Sequence, residues 1–357
     1  MNKKLNTGFL LDSRKSEIIS RRNFLGKVAV TTGAAALGIE DLQADSTFQS
    51  SSSNKLPREV WITTLSQMDL RVDTPDEMIT TILNILKKGE VYLPDVVCLP
   101  EVFATSNHRQ TLNLSEKLAI SFKALEIFSQ YAQRNNCYVI CPIYTEEKGK
   151  IYNAAVIIDR KGNQLGEYRK MHLTENEMRN GITPGPLLPP VFKTDFGIIG
   201  VQICYDMLWD DGWQALKEQG AEIVFFPAAY AGGQTVNTQA WRNQYVVVSS
   251  TRQHTAKICD ISGEVVAQTG FWDSNLAYGT VNLEKAFLHT WPAVQKFDDI
   301  RIKYGRKIKI TNYHEEEWSI IESLDPHVFV RDILEEFGLK TREQQIRDAD
   351  ALQRKAR

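Results

Sequence analysis

The chain has 357 residues, 43% hydrophobic and 24% charged, an ordinary globular balance that leaves room for one large core or two smaller ones. A formal charge of −2 offers no cationic face to a phosphate backbone, so no nucleic-acid partner is expected. No stretch of the mature chain stays apolar for long enough to span a bilayer.

At the N-terminus, "SRRNFLGK" sets Arg21 and Arg22 ahead of Phe24 and Leu25 and resembles the twin-arginine export signal. A mild apolar stretch runs from Val28 to Ile39, and "LQA" offers a cleavage point near Ala44. Residues 1–44 are therefore read as a signal peptide and 45–57, Ser-rich up to Pro57, as a flexible leader. The twin-arginine export machinery would be a partner, and the mature protein would be periplasmic or secreted. Removing seven Lys/Arg and four Asp/Glu would leave it at a charge near −5.

"EVWITTLSQ", from Glu59, is β-branched and apolar and predicts a first strand. "TPDEMITTILNILKKGE" predicts a helix with Thr74 as N-cap, Pro75 at its first position and Met78, Ile79, Ile82, Ile85 and Leu86 at helical spacing. "DVVCLPE" is a short buried strand, "SEKLAISFKALEIFSQYAQRNN" a second amphipathic helix and "CYVICPIY" a third strand. "IYNAAVIIDRKGNQLGEYRK" reads as a hairpin turning at Lys161–Gly162–Asn163. Then come "GIIGVQICYD", a helix around "GWQALKEQG", the strand "AEIVFFPAAY" and the helix-to-strand segment "TQAWRNQYVVVSSTR". "AKICDISGEVVAQTG" and "LAYGTVNLE" follow as antiparallel strands. This alternation predicts a layered α/β fold with mixed sheets over 58–285. Residues 286–357 are more polar and end in a charged helix, "REQQIRDADALQRKAR", expected to pack on the surface or on a second subunit.

The five cysteines, Cys98, Cys137, Cys141, Cys204 and Cys259, sit singly in apolar runs, not at disulfide-scaffold spacing. A Cys137–Cys141 bridge stays open. No CxxC pair or His/Cys cluster points to zinc, and no metal is expected. Taken alone, Cys204 at the end of an apolar strand is a small core residue. Two other strands, however, also end on polar groups: the buried "VVCLPE" on Glu101, and "GEYRKMHL" on basic residues with Lys170 leading into a loop. Neighbouring strands that end at one sheet edge deliver their terminal side chains to a common crevice. A carboxylate to take the thiol proton, a thiolate to attack a carbonyl or nitrile carbon and an ammonium to steady the oxyanion form a working set for acyl transfer.

With "CLPEVF", "YRKMHL" and "GVQICYD" in that order, the chain resembles the nitrilase (carbon–nitrogen hydrolase) superfamily. "IYNAAVIIDRKG", "TPGP" and "GAEIVFFPAA" match its connecting elements, so the resemblance covers roughly Glu59 to Glu284. It implies an α-β-β-α sandwich that forms four layers when outer helices pair two subunits, hence a homodimer or higher homo-oligomer. It also implies Glu101 as general base, Lys170 as oxyanion stabiliser, Cys204 as nucleophile and the Tyr205 backbone N–H as second oxyanion donor. No metal or organic cofactor is required. A second glutamate shortly after the lysine is common in the family; Glu177 fits its position better than Glu175. Tyr144 and Glu146, read as a loop ahead of that hairpin, are candidates to line the crevice.

The departures bear on substrate. After the cysteine many relatives continue with Arg and then Phe-Pro-Glu, whereas this chain has "MLWDD". Trp209, Asp210 and Asp211 would suit an apolar or cationic amide, and Gln239 and Arg242 stand where an Arg…Glu pair is common. Cys-Tyr-Asp in place of Cys-Trp-Glu favours amide or carbamoyl substrates over nitriles, with Asp206 capping the turn. The expected function is hydrolysis of a non-peptide C–N bond in a small amide or N-carbamoyl compound. A true nitrilase, an amide acyltransferase and a catalytically idle binding protein are the alternatives.

Overall fold

Strand β1 (Glu59–Leu65) is almost wholly buried, as its β-branched, apolar residues require. The computed structural model to which it belongs describes residues 55–270, 272 and 275–357. The expected export signal, and the leader up to residue 54, lie outside the described residues. Helix α1 (Pro75–Leu86) starts where the sequence predicts, with the Thr74 side chain accepting the Glu77 N–H. Strand β2 (Val96–Cys98) precedes helix α2 (Leu114–Asn135), which a capping box of Asn113 and Glu116 opens and Asn136, at φ 51, closes. Strands β3 (Tyr138–Glu147), β4 (Lys150–Ile158) and β5 (Gln164–Arg169) form an antiparallel meander, the second turn at the predicted position.

The first turn departs from the sequence reading. β3 runs on through Glu147 and reverses at Lys148–Gly149, both at positive φ (53 and 76). Two such residues make the tight turn that matches strand twist. Tyr144 and Glu146 therefore lie within a strand, not on a loop, and Glu146 accepts the Gly149 N–H at 2.6 Å. The polar run "TEEKGK" hid the pairing, because cross-strand hydrogen bonds sustain β3 where apolar alternation has ended.

The chain continues through α3 (Glu175–Arg179), β6 (Phe192–Lys193), β7 (Ile198–Val201), α4 (Asp211–Glu218), β8 (Ile223–Ala228), α5 (Gln234–Asn243), β9 (Val246–Thr251), β10 (Lys257–Cys259) and β11 (Val265–Gln268). Strand β12 (Leu276–Asn282) then returns to pair antiparallel with β1. Two six-stranded sheets result, ordered β12-β1-β2-β3-β4-β5 and β11-β10-β9-β8-β7-β6. Each holds three parallel strands, β1 to β3 and β7 to β9, flanked by antiparallel ones.

Both faces of each sheet are covered, which is why the central strands are apolar at nearly every position. Val97, Val139 and Cys141 point to α1 and α2, packing with Met78, Ile82 and Phe128. Their neighbours Val96, Cys98 and Ile140 point the other way, into a core shared with β7 to β9. Trp213 and Leu216 of α4 and Val236 and Ala240 of α5 pack in that larger cluster. The architecture is an α-β-β-α sandwich, as the family resemblance implies, with the mixed sheets that the strand–helix alternation predicts. Small polar residues lock the sheets together: the Ser250 hydroxyl reaches the Leu65 and Cys98 carbonyls at 2.9 and 3.0 Å, and Thr64 reaches the Ser249 carbonyl at 2.7 Å.

Beyond β12 the chain forms β13 (Lys285–His289), α6 (Thr290–Tyr304), β14 (Ile308–Tyr313), β15 (Trp318–Ser323), α7 (Val330–Glu336) and α8 (Arg342–Ala356). The strands make a separate antiparallel sheet, ordered β13-β15-β14, around Leu288, Phe297, Ile300, Ile321 and Ile333. Of these elements only α8 is legible in the sequence, and it buries none of its residues. All five cysteines are buried free thiols, Cys137 and Cys141 included. Among the described residues no helix is long and apolar enough to cross a membrane.

Candidate active site

Glu101 stands three residues beyond β2, Lys170 directly after β5 and Cys204 three residues beyond β7. The ends of both sheets meet there, and all three side chains are almost sealed from solvent, at 3%, 1% and 9% exposure. Lys170 Nζ donates to Glu101 Oε1 at 2.9 Å and to Glu177 at 3.0 Å. Glu177 thus joins the cluster, while Glu175 points outward and pairs with Arg179 at 2.7 Å. A capping box fixes Glu177: its Oε2 accepts the Thr174 N–H and hydroxyl, each at 2.9 Å.

Two groups that carry no strong signal in the sequence complete this arrangement. Asn153 of β4 donates to Glu101 Oε1 at 2.9 Å and to Glu177 Oε1 at 2.8 Å. Arg252, just past β9, sets Nη2 at 3.8 Å from Glu101 Oε2. A lone amide inside the apolar run "IYNAAVII" was the available signal for Asn153, since a buried polar group needs partners. Arg252 ends a buried strand on a charge, the pattern that picks out Glu101.

Cys204 begins a short 3₁₀ turn, Cys204–Leu208, with φ 49. That left-handed conformation costs a residue with a Cβ about 1–2 kcal/mol. Asp206 holds it in place, accepting the Ile203 N–H at 2.8 Å, the Tyr168 hydroxyl at 2.6 Å and the His172 N–H at 2.8 Å. The same carboxylate thereby ties the loop that follows Lys170 to the turn that carries Cys204. The Tyr205 N–H comes next in the chain and has no backbone acceptor among the described residues.

Burial pushes the Cys204 thiol up to about 12, and the Glu101 charge pushes in the same direction against Lys170 and the Ala229 backbone N–H. Glu101 goes the other way. Burial raises it, but the charges of Lys170 and Arg252 and the hydrogen bonds from Lys170 and Asn153 outweigh that and hold it below the ordinary glutamate value. Lys170 loses by burial and gains more from Glu101, Cys204 and Glu177, so it stays an ammonium. The resting site is thus a carboxylate, a protonated thiol and an ammonium. Oε1 of Glu101 is occupied, while Oε2 is buried and accepts no hydrogen bond. A base with one free oxygen beside a protonated thiol can take that proton when an electrophile arrives.

Around this centre the structure places Tyr144 close enough for the Glu101 and Glu177 charges, with burial first, to raise its phenol to about 12. Tyr230, following β8, is raised to about 12 by burial and by Cys204 and Glu101. Trp209 is partly exposed and stacks on His172 at 4.2 Å. Asp210 is held by Arg242, which donates from Nη1 at 3.0 Å and Nη2 at 3.1 Å, and Asp211 faces His172 Nε2 at 3.5 Å.

Residues 63–287 match the family described as carbon-nitrogen hydrolase. A deaminated glutathione amidase from Synechocystis sp. is 33% identical over 150 residues, 38% of this chain and 54% of that protein. The chain spans about half the length of the curated relatives it matches. A solved amidase from Nesterenkonia sp. superposes with a TM-score of 0.56 at 17% identity, over 62% of this chain and 90% of the amidase. A mutant of the amidase from Nesterenkonia sp. AN1, with the acetamide moiety of fluoroacetamide covalently added at its active-site cysteine, gives 0.56 at 16% identity over 71% and 99%. At these identities the likeness is one of fold.

Proposed function

The chain belongs to the carbon-nitrogen hydrolase family, and on that premise we propose that it hydrolyses a small amide or N-carbamoyl compound through a thioester on Cys204. One observation carries this reading: Lys170 and Asn153 take one oxygen of Glu101, the other is buried with no fixed donor, and the Cys204 thiol lies within reach of that carboxylate. Glu101 takes the Cys204 proton as sulfur bonds to the carbonyl carbon. Lys170, which gives up one of its two bonds to the Glu177 oxygens, and the Tyr205 N–H receive the oxyanion. The C–N bond breaks, and the departing nitrogen takes the proton from Glu101. Water, activated by the same carboxylate, then attacks the thioester and returns the thiol. Amidases among the similar proteins support the amide class.

The test is ammonia release from a panel of aliphatic amides, N-carbamoyl amines and nitriles, with intact-mass trapping on Cys204. The expected result is turnover of an amide or carbamoyl compound with an acyl adduct on that residue. Acid formation from nitriles alone would make the protein a nitrilase, and transfer to an added amine in preference to water would make it an acyltransferase. Silence across the panel with no adduct would leave the binding-protein reading.

Export by the twin-arginine route and assembly as a homodimer or larger belong to the same proposal. Helix α8 buries nothing, yet its first turn is anchored, with Glu343 against Lys217 of α4 at 2.5 Å and Arg342 over Trp318. An otherwise exposed helix of 15 residues gains its order from packing, which a second subunit would supply. Deleting 345–357 is expected to leave the fold and its melting temperature unchanged and to shift size-exclusion elution toward a smaller species. Identical elution would remove α8 from the interface.

A further inference from the structure

We propose that Arg252 is a positioning residue for the general base: it holds a positive charge over Glu101 Oε2 from just beyond hydrogen-bonding distance, so that this oxygen stays ionised yet vacant for the thiol proton. The inference rests on the thioester reading of the same site and adds to it a residue that touches neither substrate nor sulfur.

A buried carboxylate that serves as a base faces two opposed demands. It needs nearby positive charge to remain ionised, and it needs an uncommitted lone pair to accept a proton. Lys170 and Asn153 meet the first demand through Oε1. Were Arg252 hydrogen-bonded to Oε2, a charge-assisted bond would take one of that oxygen's two acceptor sites, compete with the thiol and weaken the base. The observed Nη2 separation of 3.8 Å avoids this. At that range the charge still acts on Glu101, and Oε2 remains without a hydrogen bond.

The separation is built into the fold. Nη1 is tied to the Ser106 hydroxyl at 2.8 Å, drawing the guanidinium aside. The backbone is fixed at both ends: the Arg252 N–H donates to the Ala228 carbonyl at 2.9 Å, and its carbonyl accepts from the Asn107 side chain at 3.1 Å. Nε is buried and finds no acceptor, so the guanidinium is held in place at the expense of one of its own hydrogen bonds. The groups facing Glu101 are Lys170 after β5, Arg252 after β9, Cys204 in the turn after β7, Tyr144 on β3 and Tyr230 after β8, with Glu177 of α3 behind the lysine. Arg252 is the cation among them that makes no hydrogen bond to a carboxylate.

The test is the pH dependence of Cys204 alkylation by iodoacetamide, followed by mass spectrometry, which reads proton removal from the thiol without requiring turnover. Failure of the amide panel and failure of this inference are therefore separate results. In the unmodified protein the rate should fall only below the ordinary glutamate range, because Glu101 is held low. Arg252→Gln should move that acid limb upward by about one pH unit, since a lost neighbouring charge lets the carboxylate protonate earlier. Arg252→Lys should keep the limb close to its original place. Ser106→Ala, which frees Nη1 and lets the guanidinium close on Oε2, should lower the plateau rate without raising the limb. An acid limb unmoved in folded Arg252→Gln, or a plateau unchanged in Ser106→Ala, overturns the proposal; should Arg252→Gln not fold, Ser106→Ala decides alone.

Discussion

Cys204→Ala is expected to lower amide turnover by roughly 10⁴-fold or more, the loss typical when a covalent nucleophile is removed from a site whose members act as a unit. Its fold should survive. The thiol is a small side chain at 9% exposure, and alanine keeps the Cβ, so the left-handed turn is no more and no less strained than before. Asp206, which pins the turn through Ile203, Tyr168 and His172, is untouched. The measurements are kcat/KM on the best amide of the panel and the melting temperature. Turnover within tenfold of the unmodified protein would mean that Glu101 activates water directly against the substrate, and the thioester would be abandoned.

Lys170→Met should damage both activity and stability, through one cause. Methionine fills most of the volume but removes the charge that Glu101 and Glu177 share. Asn153 would then bridge two buried carboxylates by itself. Breaking a buried ion pair by removing one partner costs about 3–5 kcal/mol, because the charge left behind is uncompensated. The sign with pH follows from Glu101. In the unmodified protein its depressed titration contributes stability that is present above the unfolded glutamate value and lost as pH falls through the folded one. In Lys170→Met that contribution is reduced, and protonating one carboxylate relieves the repulsion. The stability deficit should accordingly be largest at neutral pH and shrink as the pH is lowered toward the carboxylate range. Turnover should drop by about 10²–10³-fold from the lost oxyanion donor alone. Denaturant midpoints with equal deficits at neutral and acid pH would show that packing, not charge, is Lys170's contribution.

Much of this was legible from local chemistry. The β-branched run of β1, the Thr74–Pro75 start of α1 and the Lys161–Gly162–Asn163 turn each depend on residues within a few positions of one another, so propensity and spacing reveal them. Glu101 and Cys204 stand out because a buried strand that ends on a polar group is a local anomaly, and Lys170 because a strand ends on a basic pair leading into a loop. The amino-acid sequence by itself thus determined most of the strand and helix order through β12, with α3 and β6 too short to register, the layered α/β class and the three groups able to do acyl-transfer chemistry.

Only the tertiary structure decided what those groups do to one another. Glu175 and Glu177 are equally acidic in the chain, but the Thr174 cap turns one toward Lys170 and the other toward Arg179. Asp210, an apparent pocket charge, is neutralised by Arg242 from a helix 32 positions away. Asn153 on one sheet and Arg252 just past a strand of the other acquire their meaning only where both sheets bring their ends to Glu101. The sheet of β13 to β15 escaped notice because its strands are partly exposed and carry a weak apolar signal. Secondary structure is set by neighbours along the chain, whereas charge, proton affinity and hydrogen-bond vacancy are set by neighbours in space.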